Sequence, residues 1–253
     1  MSWSLEGKRA LVTGGSKGIG LAIVEELVHL GAEVMVVARN ERDLSGCVQM
    51  LRQRNFKAIG MTGDVTNETF RTELIEEVQQ KMGKLDILVN NVGTNVRKKF
   101  IEYSQAEYRQ LFETNLFSLT EVTRLCHPLL KKSGKGAVIN IASVAGSVDV
   151  QSGPPYGMTK AAIIQFTKHL AVEWAQDRIR VNAVSPWYIE TPLTQAVLSQ
   201  PERLKKIIDS TPMNRVGQPE EISGLVAFLA MDKASYITGQ NVFVDGGMMA
   251  KGM

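Results

Sequence analysis

The chain has 253 residues, with 29 Lys and Arg against 26 Asp and Glu, and 44% of its residues are hydrophobic. This is ordinary globular composition, and it excludes a disordered, collagen-like or coiled-coil chain. A net charge of +3 is too small for a dedicated nucleic-acid or membrane-surface binder. In chain order, Arg9–Thr13 reads as a strand, Gly20–Leu30 as a helix ended by Gly31, and Glu33–Ala38 as a strand. Glu41–Arg54 reads as a helix, Lys57–Met61 as a strand, and Asn67–Met82 as a helix capped by Asn67 or Thr66 and ended by Gly83. Then come a strand Leu85–Asn90, a helical stretch Gln105–Lys132, a strand Gly136–Ala142 and a long helix Pro155–Gln176. Arg178–Ser185 reads as a strand, Pro219–Ala230 as a helix and Gln240–Val244 as a last strand. The caps and stops follow the usual helix-end chemistry.

The strands are unbroken Val/Ile/Leu runs, as a sheet covered on both faces requires. Strict alternation of strand and helix predicts βαβ units with right-handed crossovers. The expected fold is α/β: residues 1–253 form a single doubly wound (Rossmann) domain, with a parallel sheet of about seven strands and helices on both faces. A ligand then sits beyond the C-terminal strand ends, where the strand order reverses. The two cysteines, Cys47 and Cys126, stand in no metal or redox motif, which fits a reducing compartment. His29, His127 and His169 lack metal-ligand spacing, so no metal site is expected. The N-terminus has no signal-peptide pattern, and the longest apolar runs, Val34–Ala38 and Ala137–Ala142, fall far short of the roughly 18 residues of a membrane span. These readings predict a soluble, cytoplasmic protein with no membrane or nucleic-acid partner.

The first strand is followed by Thr13-Gly14-Gly15-Ser16-Lys17-Gly18-Ile19-Gly20 at the start of a helix. Glycines there let a pyrophosphate approach the backbone, and the helix N-terminus offers N–H groups and partial positive charge. The spacing is G-x-x-x-G-x-G, neither the common dinucleotide fingerprint nor a P-loop. The candidate contacts are Gly14, Ser16, Lys17, Gly18, Ile19 and Gly20. At the end of the second strand an NAD enzyme places an acid for the ribose 2′-hydroxyl. Here stand Arg39 and Asn40, and Arg39 suits a 2′-phosphate by a bidentate charged contact. With Lys17 as a second cation, the expected cofactor is NADP(H). Asp64, with Val65 beside it, is placed for the adenine amino group.

Tyr156 and Lys160 open the long helix one turn apart, hence on one face. A phenol is a poor acid near neutrality, and a neighbouring ammonium favours its phenolate, so the pair predicts a general acid tuned towards working pH. Ser143 follows the fifth strand at the ligand end of the sheet, where its hydroxyl would meet the substrate oxygen.

These motifs together resemble the short-chain dehydrogenase/reductase family, in its NADP(H)-preferring group. The likeness runs from the glycine-rich turn to Val244-Asp245-Gly246-Gly247. Asn90-Asn91-Val92-Gly93 resembles the family's Asn-Asn-Ala-Gly, with Val92 replacing Ala. The resemblance implies a catalytic tetrad of Asn115, Ser143, Tyr156 and Lys160. It implies that Lys160 also holds the nicotinamide ribose, that Asn115 positions a relay water, and that Asn91, Val92, Gly93 and Tyr156 line the cofactor. Where the family has Pro-Gly, this chain reads Pro186-Trp187-Tyr188-Ile189-Glu190-Thr191-Pro192. That run, and Asn91-Val92-Gly93-Thr94-Asn95-Val96-Arg97-Lys98, resemble the tropinone reductase subgroup. In that resemblance Pro186 joins the cofactor residues, and Ile189 and Thr191 contact the nicotinamide amide.

The apolar segment of residues 191–211 is the expected lid, closing out water during hydride transfer. The candidate substrate contacts are Asn95, Ser143, Val144, Gln151, Tyr156, Trp187 and Leu193. The expected activity is NADPH-dependent reduction of a small-molecule ketone to a secondary alcohol, tropinone reductase-like. A 3-oxoacyl-carrier-protein reductase is the alternative within the same chemistry, and a non-catalytic NADP(H)-sensing protein the alternative outside it. A sensor predicts a broken tetrad, and this one is complete. The long helices carry apolar residues on more than one face, and the family implies a homotetramer.

Overall fold

A computed structural model describes residues 3–251 of the chain. Seven parallel strands form one sheet: β1 (Arg9–Thr13), β2 (Glu33–Ala38), β3 (Ala58–Thr62), β4 (Ile87–Asn90), β5 (Gly136–Ile141), β6 (Ile179–Pro186) and β7 (Asn241–Val244). Their order across the sheet is β3-β2-β1-β4-β5-β6-β7. The first strands build outward in one direction and the rest in the other, so the order reverses between β1 and β4.

Strand alternation sends neighbouring side chains to opposite faces. Ala10 and Val12 of β1, and Val34 and Val36 of β2, enter one core. Leu11, Met35 and Val37 enter the other. The first core is closed by α1 (Gly18–His29), α2 (Glu41–Gln53) and α9 (Pro219–Ala230), with Ile23, Leu27, Leu51 and Val226 fully buried. The second is closed by α3 (Glu68–Met82), α5 (Ser118–Ser133) and α6 (Pro154–Glu173), with Leu74, Val78, Cys126 and Leu130 fully buried. Among the described residues no helix is long and apolar enough to cross a membrane.

The expected boundaries hold at β1 and β2, and Asn67 does cap α3, its Oδ1 accepting from the Phe70 N–H at 3.0 Å. Gly83 ends that helix at φ 70°, as a left-handed C-terminal residue should. Other boundaries move. Helix α1 starts at Gly18 rather than Gly20. β4 omits Leu85 and Asp86, because the Asp86 carboxylate turns aside to accept from the Arg9 N–H (3.0 Å) and to pair with Lys84 (3.0 Å). Arg178 lies outside β6 at φ 59°. The expected single helix Gln105–Lys132 is two, α4 (Gln105–Phe112) and α5, joined by a π-helical segment Glu113–Phe117. Residues 191–211 hold two short helices, α7 (Gln195–Leu198) and α8 (Pro201–Ser210).

Candidate active site

The glycine-rich turn is shaped by close backbone approach. Gly14 and Gly18 have φ of 67° and 52°, a region costly for residues with a Cβ. A Cβ at Gly20 would stand 2.1 Å from the Gly14 carbonyl oxygen, and one at Gly15 would stand 2.6 Å from a Val36 methyl. No side chain caps α1, and its first turn carries no acid. The cradle therefore fits an anionic dinucleotide phosphate, with uncapped N–H groups and the positive end of the helix dipole at the start of α1. Asn91 serves the turn itself: its Nδ2 donates to the Gly14 carbonyl (3.0 Å) and its N–H to Thr13 Oγ1 (3.1 Å).

Both expected cations lie at the cradle and each faces a carboxylate. Lys17 pairs with Asp43 at 2.7 Å and Arg39 with Asp64 at 3.7 Å. Asp64 also accepts from the Thr66 N–H and hydroxyl, both at 2.9 Å. Asn40 caps α2 by accepting from the Asp43 N–H at 2.9 Å, a role its position after Arg39 did not reveal.

Beyond β5 the chain turns at Ser143, whose Oγ accepts from the Ala145 N–H at 3.1 Å. Pro154 and Pro155 then start α6, since proline needs no N–H partner in a first helical turn. This brings Tyr156 and Lys160 to the ligand end of the sheet. Lys160 is 4% exposed, its Nζ donates to the Ile141 carbonyl at 2.8 Å and lies 5.7 Å from the Tyr156 ring centroid. Burial lowers the ammonium to about 8. The phenol moves the other way from the sequence expectation. Burial raises it above its ordinary value, partly opposed by a hydrogen bond with Ser143 and by the charge of Arg97; the Tyr188 phenol raises it further. Tyr156 is half-buried as a residue, and desolvation of its hydroxyl outweighs the opposing charge of Arg97.

Asn115 lies in the π-helical segment and is fully buried. Its Oδ1 accepts from the Thr94 N–H at 2.8 Å, and its Nδ2 donates to the Thr94 carbonyl at 2.9 Å. The extra residue of a π turn re-aims a side chain, and such turns cluster at functional sites. A second polar chain runs beneath. Asn90 Nδ2 donates to Thr123 Oγ1 and to Asn140 Oδ1, both at 2.8 Å, and Asn140 Nδ2 donates to Thr167 Oγ1 at 2.9 Å. It ties β4 and β5 to α5 and α6, and so sets the helix that carries Tyr156 against the helix that continues the π-helical segment of Asn115. Buried asparagines inside strands were its only sequence signal.

On the substrate side, Asn95 donates to the Ser152 carbonyl at 3.0 Å. Trp187 donates from its indole N–H to Thr211 Oγ1 at 3.0 Å, tying the end of β6 to the end of the 191–211 segment. With Tyr188 and Met213 it lines a cavity of about 40 Å³. Leu193 is 46% exposed. Several expected contact residues have side chains that are buried or turned outward. Val144 is fully buried beneath the Ser143 turn, and Gln151 points to solvent from a left-handed position at φ 53°. Val65 and Ile189 are core residues, 4% and 3% exposed, because the strand ends that hold them pack under helices. Arg97 and Tyr188 are neighbours of Tyr156 that the sequence did not single out.

Fold and site together define a dinucleotide-binding oxidoreductase. The family model described as enoyl-(acyl carrier protein) reductase matches residues 14–249. A tropinone reductase homolog of Arabidopsis thaliana is 48% identical over 99% of this chain and 95% of its own. One of Datura stramonium is 44% identical over 99% and 95%. Among solved structures, a gluconate 5-dehydrogenase of Burkholderia cenocepacia in complex with NADP and tartrate superposes with a TM-score of 0.95, at 31% identity over 99% of this chain and 98% of its own. A short-chain type dehydrogenase/reductase of Mycobacterium marinum superposes at 0.92, with 30% identity over 98% of each chain. The chain belongs to the short-chain dehydrogenase/reductase family, and its similarity is greatest towards tropinone reductase homologs among these relatives.

Proposed function

We propose that this chain reduces a ketone to a secondary alcohol with NADPH, in the manner of the tropinone reductase-like enzymes it is similar to. The observation that carries the reading is the pair Tyr156 and Lys160 on one face of α6, with Ser143 beside the phenol and Lys160 buried at the end of β5. Gly14, Gly18 and Gly20 hold the pyrophosphate against the start of α1, and Arg39 with Lys17 takes the 2′-phosphate, releasing Asp64 and Asp43. Bound NADPH supplies the hydride, which no side chain can. Ser143 donates a hydrogen bond to the carbonyl oxygen, and Tyr156 gives that oxygen its proton. A phenol raised by burial is fully protonated at neutral pH, so the acid is loaded before reaction, and a developing alkoxide is far more basic than phenolate. Lys160, lowered to about 8, exchanges its proton near neutrality and restores the phenol. Asn115 keeps the Thr94 loop in place over the site.

Residues 191–211 act as the lid, with Trp187 as its anchor. The assembly is a homotetramer, supported by apolar side chains left exposed on the α5–α6 side, Phe117 at 49% and Val172 at 80%. The compartment is the cytoplasm, in keeping with the free, buried thiols of Cys47 and Cys126.

The test is NADPH oxidation against bicyclic amino ketones, cyclic ketones and acetoacetyl thioesters. Tyr156→Phe lowers turnover by roughly 10²–10⁴-fold while NADPH still binds with unchanged affinity. Turnover retained by Tyr156→Phe rejects the assigned acid. Activity confined to the thioester points to the acyl-carrier-protein reductase instead.

A further inference from the structure

The loop after β4 is pinned over the site at several points. Thr94 exchanges two hydrogen bonds with the Asn115 amide, Asn95 donates to the Ser152 carbonyl, and the Tyr103 hydroxyl donates to the Val96 carbonyl. The next residue is Arg97. It is half-buried, and its Nε is shut off from solvent with no hydrogen-bond partner. Among the described residues it makes no ion pair. The acids of this region are engaged: Glu107 by Lys98 (2.5 Å) and Ser104 (3.0 Å), Glu102 by the Lys99 N–H (3.2 Å), and Asp149 by the Gln151 N–H (2.9 Å). A guanidinium cannot shed its charge to relieve this. A partly desolvated cation without a counter-ion is unfavourable until an anion reaches it. The Val96 carbonyl beside Arg97 stands 3.3 Å from where a Cβ of Gly153 would sit, just before the helix that carries Tyr156, and a Cβ at Gly93 of the same loop would stand 3.5 Å from Lys160 Nζ, so an anion on Arg97 and a carbonyl on Tyr156 come within reach of one small molecule.

We propose that Arg97 receives a carboxylate of the substrate, so that this site takes oxo-carboxylates, ketones bearing a carboxylate, in preference to neutral or cationic ketones. This rests on the ketone-reductase reading above and narrows it. A protonated amino ketone meets the same guanidinium as a like charge and is disfavoured. Arg97 is a specificity residue: it binds the carboxylate in ground state and transition state alike, so its loss raises KM more than it lowers kcat.

The experiment compares 3-oxocyclohexanecarboxylate, its methyl ester and a protonated bicyclic amino ketone as substrates of the wild-type enzyme, Arg97→Gln and Arg97→Lys, with NADPH saturating. Binding of the unreactive cyclohexanecarboxylate to the NADP⁺-loaded protein is measured by calorimetry alongside. The expected result is a kcat/KM for the acid on the order of tenfold or more above the ester in wild type. That preference is lost in Arg97→Gln through KM, partly regained in Arg97→Lys, and cyclohexanecarboxylate binding is lost with it. Equal use of acid and ester by a wild-type enzyme that reduces ketones overturns the carboxylate site and leaves the reductase reading standing. If Arg97→Gln lowers acid and ester equally and moves the pH profile, Arg97 serves only the phenol and the proposal falls. If no ketone is reduced but NADP(H) binds, the reductase reading fails, and calorimetry then reports separately on the carboxylate site. A poorly folded Arg97→Gln leaves the wild-type acid-to-ester ratio and Arg97→Lys as the deciding measurements.

Discussion

The nucleotide cradle and the substrate rim are built in opposite ways. In the cradle, backbone meets backbone: Gly20 lies so close to the Gly14 carbonyl that no side chain fits between them. Specificity there comes from two exposed cations, Lys17 and Arg39, already matched with Asp43 and Asp64. On the rim, side chains make the surface. Asn95, Arg97, Trp187 and Tyr188 are each half-buried and come from loops far apart in the chain. A site made of backbone tolerates few residues but accepts one ligand class, whereas a rim of side chains changes its ligand by single substitutions.

The sharpest way to break this contrast is Gly20→Ala. A methyl 2.1 Å from the Gly14 oxygen and 2.5 Å from Asn91 Nδ2 forces the turn open. We expect a stability loss of about 3 kcal/mol and loss of nucleotide binding, read by urea unfolding and by NADPH titration. Unchanged affinity would mean the cradle is looser than its contacts imply.

Next in size is a pH effect from Lys160. Its folded value, about 8, lies below the ordinary 10.5. Between these the unfolded chain holds a proton that the folded chain has lost, so stability rises with pH across the window. Below about 8 both states are charged and the burial penalty is fully present. For nucleotide-free protein, the unfolding free energy from urea titrations should climb by roughly 1–3 kcal/mol from about pH 7.5 to 9.5, and Lys160→Met should flatten the climb. A flat wild-type profile removes the buried ammonium from the account.

Arg39→Asp should weaken NADPH by on the order of tenfold or more and leave NADH little changed, measured by fluorescence titration of both nucleotides. An equal loss for the two would show that Arg39 does not read the 2′-phosphate. The smallest effect belongs to Asn40→Ala, which removes the α2 cap. About 1 kcal/mol of stability is expected to go, with NADPH affinity held; a large affinity loss instead would return Asn40 to the cofactor contacts.

Much of the fold was legible because its periods are strong. Apolar strands such as Val34–Ala38 and the Asn67 and Gly83 helix ends carry their own local chemistry. The π-helical segment around Asn115 was not legible, since the apolar spacing runs unbroken from α4 into α5. The amide–Thr94 pair that accompanies the π turn exists only between distant residues. The tropinone reductase resemblance puts Ile189 at the nicotinamide, and Val144 is a candidate for the substrate pocket, yet packing buries both side chains. Arg97 sat inside a recognised run without standing out, because an unpaired cation is visible only when its neighbours are known.

By itself the sequence determined the parallel α/β sheet, the glycine turn with its two cations, and the Ser143, Tyr156 and Lys160 triad. Each of these follows from residue type at short range: steric freedom at glycine, charge at a strand end, and one helical turn between phenol and amine. The tertiary structure decided how those groups behave. Desolvation, which no spacing records, raises the phenol and lowers the amine, and the fold leaves Arg97 half-buried with no ion pair among the described residues.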